Sequence, residues 1–233
     1  MHYHTYAAGD SCIILEFGSS IEPGSNQKVR KAASLLSKKP FRGMIECVPA
    51  FHTLAVHYDP CAVGTLSPFE AASSLIAEML AEKIQLDVHS PRLLDIPVCY
   101  EGAHAPDLPF VARSNGLSEK EVIEIHSKRD YEIYFLGFSP GFPFLGGMDP
   151  RIAAPRKTSP RLKIPSGSVG IAGGQTGIYP SETPGGWQII GRTPIALFDP
   201  KREEPSYLKP GDRLRFIPIK EAEFQSGGGS LWE

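Results

Sequence analysis

The sequence predicts an α+β protein of two domains, a ferredoxin-like α+β sandwich followed by a small β-barrel or closed sandwich. Three observations carry this reading. The first part of the chain runs strand, helix, strand, strand, helix, strand, the element order of a split βαβ unit. From Tyr131 onward, short apolar runs are separated by Gly/Pro turns at the spacing of a closed all-β fold. Between the two parts, Ser90-Pro91 and Ile96-Pro97 interrupt the pattern. The expected domains are therefore residues 1–89 and 90–225, with a flexible, Ser/Gly-rich tail over 226–233.

The individual elements follow from periodicity and turn chemistry. Tyr3, Tyr6, Ile13, Ile14, Leu15 and Phe17, broken at Gly9-Asp10, predict a strand pair or one bent strand. Asn26 to Lys39 carries a helical stripe of Val29, Ala32, Ala33, Leu35 and Leu36, and Lys38-Lys39-Pro40 supplies its positive end and stop. MIECVPAFHTLAVHYD predicts two strands, the second alternating Leu54, Val56 and Tyr58 against Thr53, Ala55 and His57. A second helix is expected near Pro68 to Leu86, with Pro68 tolerated in its first turn, and then a strand near Asp87 to Tyr100. Beyond Tyr100 the chain reads as a proline-rich loop up to the helix Ser118 to Lys128. Ser118 and Glu121 form a capping box there, and His126 is placed to favour the helix dipole when protonated. The strands expected after it are Tyr131 to Phe138, Ser168 to Ala172, Trp187 to Arg192, Ile195 to Phe198 and Asp212 to Ile217.

Composition narrows the function classes. With 24 Lys+Arg against 26 Asp+Glu, the chain has no basic excess to neutralise phosphates, which excludes nucleic acid as the default partner. No apolar run reaches the roughly 18 residues of a membrane span, and the N-terminus lacks a signal-peptide pattern. Cys12, Cys47, Cys61 and Cys99 are scattered without a CxxC pair, as expected of reduced thiols in a cytoplasmic protein. His2 and His4 flank Tyr3, but a solvated strand edge is the simpler account than a metal site. No metal motif is present, nor a P-loop, a GxGxxG turn or a nucleophile elbow.

Three stretches between Gly137 and Gly191 can carry recognition. Gly137 to Gly147 (GFSPGFPFLGG), with Gly141 and Phe142, is an aromatic loop on shaped backbone. Arg151, Arg156, Lys157, Arg161 and Lys163 form a proline-punctuated basic run suited to a carboxylate or phosphate. Gly170 to Gly177, with Gln175 and followed by Tyr179, can form an anion-binding nest or simply a turn.

Tyr131 to Pro200 closely resembles the allophanate-hydrolase-subunit-1 family, through GFSPGFPFLGGMDPRIAAPRKTSPRLKIPSGSVGIAGGQTGIYPSETPGGWQIIGRTPIALFDP. The likeness extends more loosely to the opening His-Tyr-x-x-Tyr-x-x-Gly-Asp-Ser and the closing Lys-Pro-Gly-Asp-Arg. The resemblance implies a cyclophilin-like barrel for the second domain. It also implies the role of a B-type subunit in an ATP-dependent 5-oxoprolinase, inactive alone and working with a related barrel subunit of the C type and a third subunit of the A type. ATP then belongs to the assembled complex. The same family includes inhibitors of sporulation histidine kinases and resembles the carboxyltransferase part of biotin-dependent urea carboxylases, so these are the alternatives. The site residues it suggests are Gly141, Phe142, Arg156, Arg161, Lys163, Gln175, Tyr179 and Arg192, the cations among them holding phosphate or substrate carboxylate.

Overall fold

The computed structural model describes residues 1–82 and 91–227. The chain divides into two compact units, Met1–Ser90 and Pro91–Glu233. In the first, β1 (His4–Ala7), β2 (Cys12–Glu16), β3 (Met44–Pro49) and β4 (Thr53–Tyr58) form a four-stranded antiparallel sheet in the order β1-β2-β4-β3. Helices α1 (Pro23–Lys38), α2 (Pro60–Val63) and α3 (Pro68–Ala81) complete this unit. The opening residues make a strand pair, as one of the two expected forms. Alternation in β4 delivers Leu54, Val56 and Tyr58 to a core shared with Ile13, Leu15, Val29, Leu36 and Ile76. Each such side chain contributes about 1.5–3 kcal/mol through its burial. Buried Asn26 of α1 donates from Nδ2 to the carbonyls of Ala50 and Phe51, tying the helix to the β3–β4 turn.

The second unit is a closed seven-stranded barrel in the order β10-β7-β6-β13-β5-β12-β9. Its strands are β5 (Leu93–Cys99), β6 (Asp130–Leu136), β7 (Pro143–Gly146), β9 (Ser168–Ala172), β10 (Gln175–Ile178), β12 (Gln188–Arg192) and β13 (Arg213–Ile219). β8 (Arg161–Ile164) and β11 (Thr183–Gly185) pair separately. The β5–β13 pair is parallel over its whole length, from Leu93↔Arg213 to Cys99↔Ile219. Ile96, Val98, Tyr131, Ile133, Val169, Ile171, Ile178, Leu214 and Phe216 fill the interior. At Gly146 any side chain would occupy the ring of Tyr134, so the close approach requires glycine. Helices α4 (Leu108–Ser114), α5 (Glu119–Ser127) and α6 (Glu221–Gln225) complete the unit. The protein is thus α+β with a C-terminal seven-stranded barrel. Among the described residues no helix is long and apolar enough to cross a membrane.

Several expectations are corrected. The strand expected near Asp87 to Tyr100 is β5 and belongs to the barrel, because its partners β13 and β12 lie there; residues 87–90 fall outside the described residues. The second helix ends at Ala81, and residues 83–86 of its expected span also fall outside. The proline-rich loop contains α4, since Pro109 sits in the first turn, where no intrahelical N–H is lost. Ile195 to Phe198 makes a single bridge, Phe198↔Ser206, rather than a strand: Ile195 and Leu197 are buried from irregular backbone. Of the expected tail, Ser226 and Gly227 follow directly on α6, and 228–233 lie outside the described residues.

His126 is corrected too. The α5 capping box is present, with Ser118 Oγ accepting from the Glu121 N–H and the Glu121 carboxylate from the Ser118 N–H. The His126 ring, however, is fully buried and stacks on Phe216 at 4.3 Å, and burial lowers its pKa to about 3. It is a neutral side chain in the barrel interior, so it gives the helix dipole no charge.

Candidate functional site

The loop leaving β6 builds a cleft. Ser139 N–H donates to Gly137 O, Phe142 N–H to Ser139 O, and Gly137 N–H to Phe142 O, closing a tight turn. Gly141 turns at φ 81°, where a side chain is strained, and its missing Cβ would stand 3.0 Å from Phe198. Phe138 has φ 67°, the one non-glycine residue with positive φ among those described. The turn sends Phe142 inward, 1% exposed, and leaves Phe138 on the rim, 66% exposed. Phe142 meets Tyr179 edge-on at 5.3 Å and Trp187 at 5.4 Å, while Phe138 meets Phe142 at 5.5 Å. These are favourable perpendicular ring contacts.

The opposite wall comes from β8, β11 and their flanks. Gly185 lies so close to Tyr179 that a Cβ there would be 2.6 Å from the phenol oxygen. The result is a cleft of about 290 Å³ lined by Phe138, Phe142, Phe144, Arg156, Pro160, Tyr179, Pro184, Gly185, Gly186 and Trp187. Burial raises the Tyr179 pKa to about 12, although the Trp187 backbone works against it, so the phenol is a neutral hydrogen-bond donor at neutral pH. Beside the rim, the Ser139 hydroxyl is buried without a hydrogen-bond partner among the described residues.

The basic run separates into engaged and available cations. Arg161 holds Asp107 through two hydrogen bonds of 2.7 and 2.8 Å, and Lys157 adds a third contact at 3.3 Å. Burial opposes ionisation of Asp107, but Arg161 and the Ile189 N–H outweigh it and hold its pKa below the usual carboxylate range. Lys163 pairs with Glu182 at 3.3 Å, and Arg151 with Asp149 at 2.9 Å. Arg156 is exposed on the cleft wall and has no hydrogen-bond or ion-pair partner among the described residues. An unengaged guanidinium beside aromatic faces suits a small ligand with an apolar ring and a carboxylate.

Phe142, Arg156 and Tyr179 therefore share the cleft. Gln175 instead opens β10 after a two-residue hairpin turn at Gly173-Gly174, and the Gly173 N–H already donates to Ala154 O. That stretch is a hairpin rather than an anion nest. Arg192 donates from Nε to Ser166 O and lies over the Phe224 ring, outside the cleft lining. Two features escape the sequence reading. Asp107 is hidden because its cations lie 50 and 54 residues away. Cys99, His104 and Glu221 come together from β5, a 3₁₀ turn and α6, with no spacing signal to reveal them.

Residues 3–208 match the family model described as carboxyltransferase domain, subdomain C and D. The chain belongs to this family. Among the proteins it is similar to, the B-type subunit of 5-oxoprolinase from Bacillus subtilis is 49% identical over 232 residues, covering 97% of each chain. The crystal structure of a conserved uncharacterized protein from Pyrococcus horikoshii is 45% identical, with a TM-score of 0.56 over 95% of this chain and 100% of that one. The Kluyveromyces lactis urea amidolyase structure aligns with a TM-score of 0.78 at 21% identity, over 96% of this chain and 15% of that chain, which shows a shared fold alone. The cleft residues all lie within the span matched by the carboxyltransferase family model.

Proposed function

We propose that the chain is the B-type subunit of an ATP-dependent 5-oxoprolinase that opens 5-oxo-L-proline to L-glutamate with partner subunits. The observation that carries this is the 49% identity to the B-type subunit of a bacterial 5-oxoprolinase along nearly the whole of both chains. The cleft supports it: a five-membered lactam with a carboxylate needs an apolar wall, a cation and a hydrogen-bond donor, and Phe142, Arg156 and Tyr179 supply them. A lactam carbonyl is a poor electrophile, and phosphorylation of its oxygen by ATP makes the ring carbon attackable by water. Among the described residues, those lining the cleft include no carboxylate, histidine, cysteine or serine to act as base or nucleophile. This chain's part is therefore to bind and orient, and the reacting groups come from a related barrel subunit and a third subunit. The Gly-rich hairpin does not fit a phosphate loop, so no nucleotide step is assigned to this chain.

In the same reading, residues 1–89 form a ferredoxin-like domain and 90–225 a cyclophilin-like barrel. The order β1-β2-β4-β3, with α1 between β2 and β3, supports the first. Four free cysteines support a cytoplasmic setting.

The deciding experiment is co-expression with the cognate partner subunits, followed by an assay of 5-oxoproline-dependent ATP hydrolysis. Turnover in the assembly and none in the isolated chain is expected. An inactive assembly, together with inhibition of a histidine kinase's autophosphorylation, would replace this reading with the regulatory one.

A further inference from the structure

The geometry points to a transition-metal site, of the kind that takes Zn²⁺, formed by Cys99, His104 and Glu221 on the barrel unit and independent of the aromatic cleft. The parallel pair Cys99↔Ile219 ends two strands side by side, so the residues that follow each strand meet. Glu221 Oε2 lies 2.9 Å from His104 Nε2 and 3.8 Å from Cys99 Sγ, and all three ligand atoms lie within 4.8 Å of one another. Around a tetrahedral Zn²⁺, with bonds of about 2.0–2.3 Å, ligand atoms stand about 3.3–3.6 Å apart. The two measured edges therefore need shifts of about half an ångström or less, and the Cys99–His104 edge, within 4.8 Å, closes by up to about 1.3 Å.

The surroundings are those of an organised site. Gln225 Nε2 donates to Glu221 Oε1 at 3.1 Å, leaving Oε2 turned toward the sulfur and the imidazole. The Glu221 N–H donates to Glu101 Oε2, and Glu101 pairs with Lys220 at 3.0 Å, which fixes the start of α6. His104 packs on Phe224 at 4.1 Å. Such outer contacts orient metal ligands. The Glu221 side chain is 45% exposed, giving the ion a route in and water as a fourth ligand. A sulfur, an imidazole and one carboxylate select a borderline-soft ion over Mg²⁺ or Ca²⁺. On binding, the Cys99 thiol proton passes to solvent and the His104–Glu221 hydrogen bond gives way to two coordinate bonds. The thiolate and carboxylate then balance the ion's double charge.

The test titrates the metal-free full-length chain with ZnCl₂ by calorimetry and with CoCl₂ by absorption. One equivalent of each metal and a thiolate-to-cobalt charge-transfer band are expected. Cys99→Ser removes the band, and His104→Ala and Glu221→Gln each weaken Zn²⁺ binding by roughly tenfold or more. Glu221→Gln alters an exposed side chain, so it keeps the test decisive if Cys99→Ser fails to fold. No stoichiometric binding by the wild-type chain overturns the inference. So does a band that survives Cys99→Ser, which places the ion on another of the cysteines, Cys12, Cys47 or Cys61; and so does Zn²⁺ affinity unchanged in Glu221→Gln, which places it elsewhere, as at His2 and His4, whose rings stand 5.4 Å apart.

Discussion

Tyr100 and His126 share a hydrogen bond of 2.8 Å inside the barrel, and the rest of the network fixes its direction. Thr176 Oγ1 donates its proton to Gly170 O and must accept from His126 Nε2 at 3.0 Å. His126 is then the neutral Nε2–H tautomer, with Nδ1 accepting from the Tyr100 hydroxyl. Its pKa, lowered to about 3 by burial, lies below the unfolded value of about 6.5. Between those values the unfolded chain binds a proton that the folded chain refuses, so this contribution is complete above about pH 6.5 and falls by about 1.4 kcal/mol per pH unit below it. Urea unfolding of wild type and His126→Gln checks this. The variant is less stable at pH 7, and the gap shrinks by about 2 kcal/mol at pH 5; a gap independent of pH would refute the assignment.

Asp107 is 5% exposed and holds the flank of β8 against β12 and α4. Asp107→Ala leaves Arg161 and Lys157 without their carboxylate and the Ile189 N–H without an acceptor. The expected loss is about 3 kcal/mol, read as a lower urea midpoint at unchanged slope. Arg161→Ala costs less, because Arg161 is 28% exposed and its charge is partly solvated.

Arg156 makes the opposite prediction. It is exposed and unengaged among the described residues, so Arg156→Ala leaves the stability of the isolated chain unchanged. On the function proposed above, Arg156→Ala raises KM for 5-oxoproline in the assembled enzyme roughly 10–100-fold, the loss of one charge-assisted hydrogen bond. Arg192→Ala, outside the cleft, leaves that KM unaltered. An equal effect of both variants would remove the cleft as the substrate site.

Gly177 faces the ring of Phe142: an added Cβ would lie 2.8 Å from Phe142 Cζ and 3.0 Å from Pro143 O. Gly177→Ala therefore displaces Phe142 and costs about 1–3 kcal/mol. The near-UV dichroism of the ring cluster changes with it, and an unchanged spectrum at full stability would show that the cleft floor is softer than these distances state.

What the sequence discloses depends on what each element is made of. Helix α1 and strand β4 are legible because their apolar residues keep a regular period, α3 and α5 through their start signals, and β2, β6, β9, β12 and β13 as apolar runs bounded by turns. PFLG, QTGI and TPG are not: β7, β10 and β11 are short and glycine-bearing, and their place is set by partners rather than by their own pattern. Ile195 to Phe198 shows the converse, an apolar run buried without strand pairing. In the site, Phe142, Arg156 and Tyr179 are found through their fixed register in a glycine-proline stretch. Nothing local distinguishes Arg156 from Arg161, since Asp107, which engages only one of them, is remote in sequence.

The parallel β5–β13 pair sets a timetable for synthesis. Leu93 waits for Arg213, 120 residues later, which is about 6–24 s of ribosomal elongation. The first unit draws all its described strands from residues 4–58 and can order while the rest is still emerging. The barrel closes only after the C-terminal strand has left the ribosome, so until then β5 presents an unpaired edge to other chains. A premature stop before residue 213 would yield a protein whose first unit is intact and whose second is a magnet for chaperones.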